Sequence, residues 1–98
     1  MAIGLLATIT VREGMNEEFE NAFLDLAEQV RANEPGNHFY ALHRSSNDPR
    51  VYKVMEQYAS REALDAHSQS DHFREANKIF AGLVAAAPEI ELLPAVTR

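Results

Sequence analysis

The sequence predicts a single α+β domain built on a four-stranded antiparallel sheet. Three observations carry that expectation: a first stretch alternates with a period of two and three further short stretches bounded by turn or breaker residues read as strands, helical periodicity fills the gaps after the first and third of these four, and 98 residues leave room for one domain, 1–98, and no linker.

Ile3, Leu5, Ala7, Ile9 and Val11 alternate with Gly4, Leu6, Thr8, Thr10 and Arg12, which reads as a first strand ended by Gly14. Asn16 is a candidate N-cap, with Glu17 and Glu18 placed to favour a helix dipole. Met15, Phe19, Ala22, Phe23, Leu26, Ala27 and Val30 then mark one helix face, which ends ahead of Glu34-Pro35-Gly36. Strands are predicted over His38 to Ser45 and Val51 to Tyr58, joined by the turn residues Ser46-Asn47-Asp48-Pro49. Ser60 and Ser70 are candidate caps for a short helix and a longer one, the latter stopped by Pro88. Glu89 to Val96 reads as the last strand, and Pro94 either puts it at an edge or ends it there. The order is β-α-β-β-α-β with the second helical segment broken in two, the split βαβ arrangement of ferredoxin-like folds.

Apolar side chains occupy both parities of the strands, as in Leu5 with Leu6 and Leu92 with Leu93. Helices cover one face only, so the second face is expected to pack on another copy of the sheet, giving a homodimer.

A formal net charge of -6 and scattered basic residues exclude the basic stripe of a nucleic-acid binder and disfavour anionic membranes. The absence of cysteine removes disulfides, thiolate metal sites and a cysteine nucleophile. The N-terminal residues read as a strand and not a signal peptide, and no apolar run is long enough to span a membrane. A soluble cytoplasmic protein is expected. The four glycines form no phosphate loop.

Three groups of residues resemble the antibiotic biosynthesis monooxygenase family: Val11-Arg12-Glu13-Gly14 with Phe19; Glu34-Pro35-Gly36 with Tyr40; and Glu56 to Ser60, Ala63 to His67 and Ser70 to Phe73. They span nearly the whole chain in the family's order. The resemblance implies a dimeric α+β barrel with a ligand pocket between sheet and helices. It covers cofactor-free oxygenases of quinols and polycyclic phenols, heme-degrading enzymes and an isomerase of a phosphorylated signal, so it does not select a reaction. Heme-degrading members use a histidine on iron, with a tryptophan and an asparagine beside the porphyrin. Asn77, His67 and Ala7 stand at the best-matching positions and the chain has no tryptophan, so heme degradation is not expected.

Glu56 shares a strand parity with Tyr52, Val54 and Tyr58. Facing inward, it is a desolvated carboxyl suited to general acid–base work; facing solvent, it is a strand glutamate paired with Arg44 across the hairpin. His67 and His72 flank the helix break. Their separation of five does not suit shared metal ligation on a helix face, which needs three or four, and no metal is expected. Either histidine suits proton transfer, and the family pattern favours His67 as pocket-facing. Tyr40, Tyr52, Tyr58 and Phe73 line an aromatic-accepting cavity or simply pack the core. Asn77, one turn after Phe73, is a candidate ligand-orienting amide.

The expected activity is cofactor-free oxidation of a small quinol or polycyclic phenol by molecular oxygen, with Glu56 or His67 as base and no cofactor. The alternatives are proton-transfer or isomerase chemistry on a small oxygenated metabolite, with Lys53 and Arg44 as the nearby cations for a phosphate, and a non-catalytic dimeric binding module.

Overall fold

The computed structural model describes residues 1–98 and contains seven elements. They are β1 (Ile3–Thr10), α1 (Asn16–Asn33), β2 (Asn37–Arg44), β3 (Val51–Tyr58), α2 (Arg61–Gln69), α3 (Asp71–Phe80) and β4 (Glu89–Pro94). The sheet order is β2-β3-β1-β4 with every neighbouring pair antiparallel, the ferredoxin-like topology. β4 pairs only with β1, so Pro94 lies on an edge strand, where its missing N–H costs no ladder bond. No helix is long and apolar enough to cross a membrane.

The period-two pattern sorts the sheet into faces. Ala7 and Ile9 of β1 and Tyr52, Val54, Glu56 and Tyr58 of β3 are buried beneath the helices. Phe19, Phe23, Leu26, Ala27 and Val30 of α1 close over them. Burying one such side chain stabilises the fold by about 1.5–3 kcal/mol, so this layer supplies most of the hydrophobic driving force. The opposite sheet face keeps Phe39, Met55 and Leu93 more than 40% exposed, at 46%, 45% and 43%.

Two local expectations need correction. Asn16 does not cap α1. Met15 occupies the cap position, and the Asn16 amide instead donates to Pro49 O and the Tyr52 hydroxyl. Pro88 does not end α3, which stops at Phe80. The following turn hooks onto the end of β1: Arg12 N donates to Leu83 O, Ala85 N donates to Thr10 O, and Val84 bridges Val11. These tertiary bonds satisfy backbone groups that further helix would have used.

Ser60 and Ser70 cap as expected, accepting from Ala63 N and Phe73 N. Ser70 also donates to His67 O, so one hydroxyl stitches both sides of the break between α2 and α3. Gly36 packs against α2 so closely that an added Cβ would lie 2.7 Å from the Ala63 Cβ. Neither atom can rotate away, so Gly36→Ala forces α2 off the loop. We expect a loss of about 1–3 kcal/mol, the usual cost of overpacking, read as a lower thermal midpoint. An unchanged midpoint would mean that α2 yields freely at this contact.

Candidate active site

The helices do not close completely on the sheet. Between them lies a cavity of about 510 Å³, a volume suited to a small ligand. Its wall is largely apolar: Leu5, Ala7, Ile9 and Val54 from the sheet, Phe19 and Phe23 from α1, and Leu64, Phe73 and Phe80 from α2 and α3. Tyr40, Glu56 and His67 interrupt that surface, and Glu56 is its one carboxylate.

Glu56 is central to β3 and opposes Leu5 on β1 and Tyr40 on β2. Its residue is 7% exposed. The Tyr58 hydroxyl donates to Oε1 at 2.7 Å. Burial pushes the carboxyl up to about 7, against the opposing pull of that hydrogen bond and with a further push from the Glu34 charge. The second oxygen has no protein partner, yet no buried side-chain polar atom is left unsatisfied, so this oxygen opens onto the cavity.

His67 is 3% exposed, held among the rings of Tyr40, Tyr58 and Phe73 at centroid distances of 5.3, 5.3 and 4.6 Å. Its Nδ1 lies 2.9 and 3.0 Å from the two Glu34 carboxylate oxygens. An ionised carboxylate only accepts, so Nδ1–H donates and Nε2 carries the lone pair. Nε2 has no protein partner and is not sealed in, so it faces the cavity. Burial lowers the imidazole's pKa, partly offset by the Glu34 hydrogen bond and charge. The Tyr40 hydroxyl likewise has no protein partner, and burial followed by the Glu56 charge holds it firmly protonated. The cavity therefore presents a carboxyl, an imidazole lone pair and a phenol donor on an apolar wall.

The structure brings Tyr40, Glu56, His67, Phe73 and Asn77 to this cavity. Asn77 is exposed, so it stands at the rim and is not a buried amide. Tyr58 does not line the cavity: it lies behind Glu56, to which it donates, and packs against the His67 ring. Tyr52 is not a lining residue: its hydroxyl turns outward and donates to Glu20. Arg44 does not pair with Glu56 either. It opposes Tyr52 in the strand register and forms its ion pair with Glu20. His72 is off the cavity, with Nε2 2.5 Å from Glu34 Oε2.

Sequence reasoning missed Glu34. It sits at the C-terminal end of α1, where a negative charge opposes the helix dipole. An acid in that unfavourable position, fixed by the following Pro35-Gly36, is the signal that points to a role beyond ending the helix.

A family model described as antibiotic biosynthesis monooxygenase matches residues 2–79. No curated protein matches the chain. Among solved structures, a Caulobacter crescentus protein assigned by name to that family superposes with a TM-score of 0.95 at 47% identity, over 98% of this chain and 91% of the other. PA3566 from Pseudomonas aeruginosa gives 0.87 at 27% identity, over 98% and 95%. A conserved protein from Methanosarcina mazei gives 0.88 at 26%, over 94% and 90%. By the extent of these matches, the chain belongs to the antibiotic biosynthesis monooxygenase family.

Proposed function

We propose that the protein oxidises a small quinol or polycyclic phenol with molecular oxygen, Glu56 serving as the base. One observation carries this reading: a single buried carboxyl, open on one side, stands in an apolar cavity sized for a fused aromatic ring system.

The chemistry follows from that placement. Glu56 removes the phenolic proton, and the electron-rich phenolate passes one electron to oxygen. The radical pair recombines to form a carbon–oxygen bond, and the peroxide anion takes the proton back from Glu56. The carboxylate then removes the proton from the same ring carbon as the oxygen–oxygen bond breaks. A carbonyl forms, and the departing oxygen leaves as water. The substrate loses four electrons and oxygen gains four, so the reaction as written calls for no cofactor. Tyr40 and the neutral His67 flank the ring as hydrogen-bond partners for developing charge, and the apolar wall keeps water from the radical pair.

The test is oxygen uptake with a panel of benzene- and naphthalene-hydroquinones. Enzyme-dependent uptake above autoxidation is expected, with one atom of labelled oxygen in the product and one in water. Tight binding without uptake would replace this reading with a binding module. Solvent proton exchange into substrate without uptake would replace it with isomerase chemistry.

We further propose that the exposed apolar sheet face, with Phe39, Met55 and Leu93, packs on a second copy of itself. Sedimentation at low micromolar concentration should then give about twice 11.0 kDa. A stable monomer there would sink the sheet-to-sheet assembly.

A further inference from the structure

We propose that Glu34, His67 and His72 form a binding site for one divalent transition-metal cation, of the zinc, cobalt or ferrous type, at the junction of α1, α2 and α3. This inference is independent of the oxygenation reading.

Three observations carry it. The ligand atoms converge: His67 Nδ1, His72 Nε2 and a Glu34 oxygen all lie within 4.8 Å of one another. They are withdrawn from solvent, with side-chain exposures of 3%, 17% and 10%. And the Glu34 carboxylate has no lysine or arginine partner; its only ion-pairing partners are the two imidazoles. A sheltered anion is normally compensated by a cation. Here the two adjacent groups are neutral-capable donors of lone pairs, the combination that binds a metal ion.

The separation of five between the histidines does not suit a continuous helix, and the fold removes that objection. Ser70 breaks the helix between them and ties the two segments together, so α3 starts in a new direction and its first turn brings His72 back toward Glu34. Gly36 permits the loop carrying Glu34 to lie against α2, and its carbonyl accepts from Ala59 N to hold the loop there. The three ligands thus come from three elements locked by close packing.

The donor set selects the cation. Two imidazole nitrogens and one carboxylate suit zinc, cobalt, nickel or ferrous ions, whereas magnesium and calcium prefer oxygen alone. At metal–ligand bonds of about 2.0–2.1 Å, tetrahedral donors stand roughly 3.3 Å apart. The nitrogens now sit 2.5–3.0 Å from the carboxylate, so small outward shifts admit the ion. Three protein ligands leave at least one position for water or another small ligand.

Occupancy has a consequence for the cavity. A cation on Nδ1 of His67 moves the remaining proton to Nε2. The atom facing the cavity then changes from acceptor to donor, which alters what the site offers a bound molecule.

The experiment titrates chelator-treated protein with cobalt(II), following its visible ligand-field bands, and with zinc(II) by calorimetry. One ion per chain is expected, with equal magnesium giving no signal. Glu34→Gln and His72→Ala should each weaken cobalt binding by about tenfold or more, while the double variant His38→Ala/His43→Ala, which changes the two histidines outside the cluster, should bind like wild type. Circular dichroism of each variant reports whether it folds, and His72→Ala, the most exposed ligand, keeps the test valid if Glu34→Gln does not. Absence of binding by wild type, or binding that survives in folded His72→Ala, would overturn the site and leave a purely hydrogen-bonded cluster.

Discussion

Glu56→Gln should lower kcat by about 10²- to 10⁴-fold, the range that general-base catalysis supplies, while leaving the fold and KM close to wild type. The substitution is nearly isosteric. Glutamine Oε1 still accepts from Tyr58, as the carboxyl does at 2.7 Å, so the packing around β3 is kept. What disappears is the ability to take a proton from substrate. In wild type, kcat/KM should rise with pH through about 7, because the base must be ionised and burial holds its pKa there. The variant should lose that limb. Wild-type turnover by Glu56→Gln would exclude Glu56 as base and direct the same measurement to His67→Ala, whose Nε2 opens on the same cavity.

Much of this arrangement is legible from sequence, and the remainder fails for identifiable reasons. The parity of β3 is readable because a period of two leaves only two faces. Once Tyr52, Val54 and Tyr58 are taken as inward, Glu56 follows them, and all four are buried. The serine caps at 60 and 70 are readable because capping is local chemistry. Side-chain partners across elements are not. Arg44 and Glu56 share the inward face of neighbouring strands, but the register sets Tyr40 opposite Glu56 and leaves Arg44 beside Tyr52, within reach of Glu20 on α1. A register shift between Asn37 and Phe39 accompanies that pairing, and no turn residue announces it. His67 and His72 escape for a related reason. Helical-face arithmetic assumes one axis, and the two residues sit on two axes joined at Ser70. Pro88 looks like the end of α3 because Leu83 and Val84 continue an apolar pattern. Those two side chains are partly or fully buried, but on chain that has already left the helix to meet β1.

The same Glu56→Gln variant should be more stable than wild type at alkaline pH, by up to about 3 kcal/mol. The carboxyl titrates near 4.5 when unperturbed and at about 7 in the folded chain. At 1.36 kcal/mol per pH unit, that difference sets the size of the effect. The sign follows from which state holds the proton. Between the two values the folded state binds it more tightly, so wild-type stability falls as pH rises from about 4.5 to about 7 and this loss is complete above. Glutamine does not titrate. The stability difference, variant minus wild type, should therefore rise across that window and level off beyond it. Chemical denaturation of both proteins at several pH values measures this directly, because groups the substitution does not perturb cancel in the difference. A flat difference would mean that the carboxyl is not titrating in a desolvated site, and the base assignment would lose its physical ground. The expected trade is a chemical one. A phenol titrates near 10, so a base at about 7 lies some 3 kcal/mol closer to it than an unperturbed glutamate would. What burial removes from the stability of the ionised fold reappears as affinity for the substrate's proton.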